Sequence, residues 1–315
     1  MQARFLKRGE NKIAYEVTGK GSLVIGVPGM GDVRGEYRFL AKQMADAGFT
    51  FASMDVRGHG ESDAKWDDYS VGPIGSDIVA LIRELNAPRA LITGTSMGAG
   101  AALCAAAQAP ELVAGVVLIG PFVRDMGSNP LMGALFQVMF ADPWGAAMWG
   151  MYFKSLYPTH KPDDFQAYLA GLKKNLREPG RLHALRKMIA ASKAASDAAL
   201  SQVNLPALVL MGTRDPDFKN PEAEAKIVAA RARGTYQMIQ GAGHYPHAEM
   251  PQVTAPLVLN FANQVMEQTQ HDTSRRLDPR TGSGNSYQTL GQDRAGTADA
   301  ERVGGQIENS KAVAV

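Results

Sequence analysis

Five consecutive residues, Gly94-Thr95-Ser96-Met97-Gly98, fit the pattern Gly-x-Ser-x-Gly. A serine hydroxyl is a poor nucleophile unless it is exposed, fixed and deprotonated by a neighbour. On a sharp strand-to-helix turn the serine is lifted out and held in strained backbone. Side chains two residues either side would collide there, so both positions need glycine. The helix that follows points free N–H groups at a developing oxyanion, which makes the Met97 N–H an oxyanion donor. The other reading of the pentapeptide is a Gly/Ser-rich turn with no chemistry, and its context has to decide.

The turn needs a strand before it and a helix after it. Ala90–Thr93 is a short apolar run, and Met97 to Ala109 has a helical pattern. The same alternation runs through the first part of the chain. Ser22–Val27, Phe49–Met54 and Val113–Ile119 read as strands, and about Gly35–Ala47 and Ile74–Leu85 as helices. It resumes later, with strands at Ala207–Met211 and Thr235–Gln240 and helices at Pro221–Arg231 and Pro251–Gln268. Arg4–Lys7 and Lys12–Glu16 suggest an antiparallel hairpin at the sheet edge. Short apolar strands alternating with helices predict an α/β fold, a mostly parallel twisted sheet with helices on both faces.

Between Phe122 and about Val203 strand signals vanish and apolar residues fall at helical spacing. Pro130, Pro143, Pro162 and Pro179 separate the runs, which predicts four short helices. From Thr269 the chain is polar, Gly-rich and without period, so a disordered tail is expected. The expected organisation is a core of residues 1–121 and 203–268, a helical insertion at 122–202 and a tail at 269–315.

At these residues the sequence resembles the α/β-hydrolase superfamily, over about Lys12 to Met266. The resemblance implies the α/β-hydrolase fold with an all-helical cap. It also implies an acid after the next-to-last core strand, often as Gly-x-x-Asp. Gly212-Thr213-Arg214-Asp215 follows Leu208-Val209-Leu210-Met211 and matches. The family histidine follows the last strand. Gly241-Ala242-Gly243-His244 follows Met238-Ile239-Gln240 and matches. The order Ser96, Asp215, His244 is the superfamily's order. By that resemblance His244 takes the Ser96 proton and Asp215 orients the imidazole. Asp217 and Asp125 are rival acids. His247 opens the last helix and is expected as a cap or surface contact. His59, His160, His183 and His271 lack the context and are expected to be solvated or structural.

The family's His-Gly-x loop after its third strand corresponds to Pro28-Gly29-Met30-Gly31, which makes the Met30 N–H the second oxyanion donor. Pro28 stands where the family has histidine. Asp55-Val56-Arg57-Gly58-His59-Gly60-Glu61-Ser62 resembles a second family motif, Asp-x-Arg-Gly-x-Gly-x-Ser, in which Arg57 is expected to hold neighbouring backbone.

The insertion is rich in adaptable apolar side chains: Phe122, Met126, Leu131, Met132, Leu135, Phe136, Met139, Phe140, Trp144, Met148, Trp149, Met151, Tyr152 and Phe153. Much of this stripe serves packing; the rest points to lipophilic acyl or aryl esters cleaved through an acyl-enzyme. Lactonase, thioesterase and carbon–carbon hydrolase activities suit the same residues. Dehalogenases and epoxide hydrolases would place Asp at the elbow. The alternatives are a ligand receptor or signalling protein that keeps the triad, and an interaction protein with a decayed site. All three triad positions are filled, against the latter.

Net charge is +2 over 315 residues, so no charge imbalance points to nucleic acid. A single cysteine, Cys104, excludes an intrachain disulfide and reads as a small buried apolar residue. The first ten residues lack a signal-peptide core, and no apolar run reaches the ~18–20 residues of a membrane span, so a cytoplasmic location is expected. No metal-ligand spacing, dinucleotide fingerprint or phosphate loop occurs, so no cofactor is expected. The oligomeric state is left open.

Overall fold

The computed structural model describes residues 2–124 and 130–277. Among them eight strands form one sheet: β1 (Arg4–Arg8), β2 (Asn11–Gly19), β3 (Leu23–Val27), β4 (Thr50–Met54), β5 (Ala90–Thr95), β6 (Val113–Ile119), β7 (Ala207–Gly212) and β8 (Thr235–Ile239). Their spatial order is β1-β2-β4-β3-β5-β6-β7-β8. β1 and β2 form the edge hairpin, and β2 runs antiparallel to β4. All other neighbours are parallel. Strands β3, β5, β6 and β7 are buried along their whole length, which explains their unbroken apolar runs.

Side chains alternate between the two faces. Val24, Leu91 and Val117 pack under α1 (Arg38–Asp46) and α11 (Pro251–Leu277). Ile25, Ile92 and Val116 pack under α2 (Val71–Glu84), α3 (Met97–Gln108) and α9 (Pro221–Arg231). Helix α3 is built almost wholly of Gly, Ala, Leu and Cys and is buried nearly throughout, as a helix enclosed on all sides must be apolar all round. Its small residues bring α2 close: a Cβ on Gly75 would lie 2.9 Å from both the Ala105 nitrogen and the Cys104 Cβ. Cys104 is buried, and loss of water pushes its thiol up to about 11.

The chain leaves β3 for β4 on one side and returns to β5 on the other. Such a switch point opens a crevice at the carboxyl ends of the two strands. Val27 pairs with Gly94, so the turns after β3 and β5 emerge side by side.

The segment between β6 and β7 is all-helical where described, with five helices rather than four. They are α4 (Pro130–Met139), α5 (Gly145–Ser155), α6 (Phe165–Leu176), α7 (Arg181–Ala190) and α8 (Ala194–Gln202). The run Ala194-Ala195-Ser196-Asp197-Ala198-Ala199-Leu200 has too few large apolar residues to show a period. It nonetheless packs on α3, with Leu200 and Ala199 in the core beneath the sheet. Gly100 of α3 faces this helix. A Cβ there would lie 3.1 Å from the Ser196 side chain of α8.

After β8 come α10 (Pro246–Glu249) and α11, which ends at Leu277 rather than Gln268. The tail expected from Thr269 therefore begins as helix, and its remainder, 278–315, lies outside the described residues. Among the described residues no helix is long and apolar enough to cross a membrane.

Candidate active site

Strand β5 ends at Thr95, α3 starts at Met97, and Ser96 alone makes the turn with φ 54° and ψ −116°. A non-glycine residue in so sparse a region costs about 1–3 kcal/mol, and persists only where its surroundings impose it. Here the Ser96 N–H donates to the Ile119 carbonyl of β6 at 2.8 Å. A Cβ on Gly94 would strike the Gly98 carbonyl, and one on Gly98 would strike that of Val27. The two glycines flanking the serine are thus a steric requirement.

His244 follows β8 on the Gly241-Ala242-Gly243 turn. Neither Gly212 nor Gly243 has room for a side chain: a Cβ on Gly212 would strike the Gly243 carbonyl, and one on Gly243 the Leu156 carbonyl and the Pro158 ring. The His244 N–H donates to the Leu156 carbonyl at 3.0 Å, and the Gly243 N–H to Oε2 of Glu249 at 2.6 Å. The imidazole Nδ1 lies 2.8 Å from Oδ2 of Asp215 and 3.7 Å from Oδ2 of Asp217. Asp215 is therefore within hydrogen-bond reach and Asp217 is not. The other Asp215 oxygen accepts the Asp217 N–H at 3.0 Å, so both are engaged. Burial opposes charge on His244, but Asp215 and Asp217 outweigh it and lift the imidazole to about 9. The rival Asp125 lies outside the described residues.

Asp215, Asp217 and His244 bring three ligand-type atoms within 4.8 Å of one another. The Nδ1–Asp215 contact already occupies the nitrogen that a metal would need.

The turn after β3 is braced from three directions. The Gly29 N–H donates to Oε2 of Glu36 at 2.9 Å. The Gly31 N–H donates to Nε2 of His59 at 3.2 Å, and the Gly31 carbonyl accepts from the Trp149 indole at 3.1 Å. Met30 sits between these two committed glycines. Sequence reasoning missed Glu36, which lies in a single turn of 3-10 helix (Arg34–Tyr37) with no period to mark it. Glu36 is buried; loss of water raises its carboxyl to about 7 although the Gly29 N–H pulls it down. Its Oε1 stands 3.0 Å from Nε2 of His247. His247 is thus neither a surface contact nor a cap. It is fully buried, stacked on Tyr37 at 5.0 Å, and lowered by burial to about 3.

His59 is structural, with a specific task. Nε2 accepts from Gly31, which leaves Nδ1 to donate to the Arg57 carbonyl at 3.1 Å. Burial lowers it to about 4 and keeps it neutral. Arg57 does hold backbone, at the carbonyls of Asp68 and Pro73, and also grips the Asp77 carboxylate with two nitrogens at 2.6 and 3.0 Å.

The sequence model of the family described as "Serine aminopeptidase, S33" matches residues 20–251. The chain is an α/β-hydrolase of that family. A 2-(acetamidomethylene)succinate hydrolase from Mesorhizobium japonicum is 26% identical over 251 residues, 77% of this chain and 88% of that one. The human monoglyceride lipase is 25% identical over 242 residues, 72% of this hydrolase and 76% of the lipase. Among solved structures, an esterase from Exiguobacterium antarcticum superposes with a TM-score of 0.74 at 18% identity, covering 83% of this chain and all (100%) of the esterase.

In this α/β-hydrolase, Ser96 and His244 line one cavity of about 310 Å3. Phe122, Phe136, Met139, Phe140, Trp149 and Tyr152 of the helical insertion and its approach supply much of its wall. The stripe divides three ways rather than only between packing and lining, and Met126 lies outside the described residues. Phe153 joins a separate aromatic cluster, while Leu131, Trp144 and Met151 are exposed. Met30 also lines the cavity. The hydrolase adds a polar patch that the sequence did not announce: the Tyr152 hydroxyl lies 2.8 Å from each oxygen of Asp217.

Proposed function

We propose that this hydrolase cleaves carboxylic esters with apolar acyl or aryl groups, through a Ser96–His244–Asp215 triad and an acyl-enzyme. The observation that carries the reading is a pairing. A serine held at φ 54° shares a cavity with a buried imidazole whose Nδ1 is bound to a carboxylate at 2.8 Å. With Nδ1 so occupied, Nε2 is the nitrogen left to take the Ser96 proton. The hydroxyl oxygen attacks the ester carbonyl, and the Met30 and Met97 N–H groups stabilise the oxyanion. The carbon–oxygen bond breaks as the imidazolium returns its proton to the leaving alcohol. Water, deprotonated by His244, then releases the acid and restores Ser96.

The α4–α7 helices act as the cap of the site, and α8 belongs with the core. A cavity walled by aromatic and methionine side chains suits an apolar group. The relatives' names include both a succinate derivative and a monoglyceride as substrates, so kinship alone does not choose the substrate.

p-Nitrophenyl esters of rising acyl length test the reading. Wild type turns over at least one, and Ser96→Ala loses about a thousandfold or more. A fluorophosphonate probe labels wild type at Ser96 and leaves Ser96→Ala unlabelled. Ester turnover that persists in Ser96→Ala would remove the proposal. Binding without turnover would point to the receptor reading.

A further inference from the structure

The cavity beside Ser96 carries an unbalanced charge. Among the described residues its lining includes no lysine and no arginine. It does include Asp217, whose side chain is 19% exposed and lies among aromatic walls. The group that answers this carboxylate most directly is the Tyr152 hydroxyl, at 2.8 Å from both of its oxygens. That hydroxyl stays neutral, because burial and the nearby carboxylate raise its pKa well above the usual phenol range. The nearest cation is a protonated His244, but it faces two carboxylates, Asp215 at 2.8 Å and Asp217 at 3.7 Å. Two negative charges against one positive leave the site net negative.

From this arrangement we infer that the cavity accepts uncharged esters and rejects those bearing a carboxylate, with Asp217, fixed by Tyr152, as the residue that discriminates. The inference rests on the ester-hydrolase reading and adds the charge of its substrate. Like charges a few ångströms apart repel strongly where water is scarce, because little solvent screens them. An anionic acyl chain would also leave its hydration shell without gaining a cationic partner. A neutral chain of the same shape suffers neither penalty. Tyr152 holds the carboxylate at the wall, so the repulsion has a fixed origin.

The test compares two near-isosteric esters, p-nitrophenyl butyrate and mono-p-nitrophenyl succinate, which differ by a methyl against a carboxylate at the chain end. Wild type prefers the butyrate in kcat/KM, and Asp217→Asn narrows that ratio by about tenfold or more. Asp217→Asn also changes the proton affinity of His244, but both esters meet the same base, so this cancels in the ratio. Tyr152→Phe keeps the charge but frees the carboxylate from its anchor, so the preference for butyrate persists at a reduced ratio, between those of wild type and Asp217→Asn. A purely structural role for Asp217 would slow both esters alike.

Binding supplies a readout independent of turnover: the thermal shift given by butyramide against succinamate, a neutral and an anionic amide. Butyramide raises the wild-type Tm more, and Asp217→Asn removes the difference. If no ester is hydrolysed but this preference appears and vanishes as stated, the cavity inference stands and the hydrolase reading falls. Equal handling of the two ligand types by wild type overturns the inference. So does a preference that Asp217→Asn leaves unchanged.

Discussion

The N–H of Gly29 donates to Oε2 of Glu36 at 2.9 Å, across a buried contact that joins the turn after β3 to the helical turn following it. Glu36 in turn faces His247, three residues beyond the proposed base. The proposed Met30 donor and the proposed base therefore lean on one buried side chain. Removing it should disturb transition-state geometry more than substrate binding.

Glu36→Ala is accordingly expected to lower kcat by about ten- to a hundredfold with a much smaller change in KM, since small displacements at a reacting centre are costly. Glu36→Gln keeps an oxygen for the Gly29 N–H and should retain most activity. Steady-state kinetics on one p-nitrophenyl ester decides this. A fall confined to KM, or no recovery in Glu36→Gln, would refute the bracing role.

His244 at about 9 has a direct kinetic meaning. As the proposed base, the ring cannot accept the Ser96 proton while it is protonated, so kcat/KM should climb with pH until the ring is neutral, with its midpoint well above ordinary histidine. Asp217 is one of the charges holding the proton on. Asp217→Asn should therefore move the acidic limb of the pH profile toward lower pH, by roughly one pH unit. A limb that stays in place would mean that Asp217 does not act on the base.

His59 links acidity to folding. Its ring must be neutral for Nε2 to accept from Gly31, and burial lowers its pKa from 6.5 to about 4. Between those values the unfolded chain holds the extra proton. The stability His59 contributes is complete above about 6.5 and is lost as pH falls toward 4. His247, lowered to about 3, acts in the same direction. Glu36, raised to about 7, opposes both, because its protonated form is the one the fold prefers. His59→Gln removes one component and keeps an acceptor for Gly31. The fall in Tm between pH 6.5 and 4 should be shallower in that variant than in wild type. Parallel curves would contradict this account.

Glycine substitutions separate steric need from tolerance. Gly98→Ala drives a methyl into the Val27 carbonyl, so a loss of several kcal/mol or failure to fold is expected. Gly171 lies inside α6, and nothing lies within 4 Å of a Cβ placed there. Gly171→Ala should raise stability by about 0.5–1 kcal/mol. Thermal denaturation of the two variants is the measurement, and similar losses in both would undo the argument.

The strand and helix alternation was legible because buried parallel strands are unbroken apolar runs, and because glycine and proline punctuate the turns. The loops that carry Ser96, Asp215 and His244 were legible because each follows a strand with glycines that only close backbone approach demands. Glu36 and His247 were not. Their significance lies in a contact between residues more than two hundred positions apart, and each alone looks like an ordinary polar residue in a short helix. Helix α8 escaped because its face against α3 is built of alanine, serine and a single leucine. The Tyr152–Asp217 pair escaped for the same reason as Glu36: the two groups come from different layers of the fold.

The Leu156 carbonyl accepts the His244 N–H, and the Trp149 indole N–H donates to the Gly31 carbonyl, so α5 and the residue that ends it are fastened to two loops of the proposed reaction centre at once. A graft that replaced these helices with those of another hydrolase would take both fastenings with it. Exchanging the roof of this molecule thus means retuning its machinery, and new selectivity is more accessible through single wall residues such as Met139 or Ile189 than through wholesale transplantation.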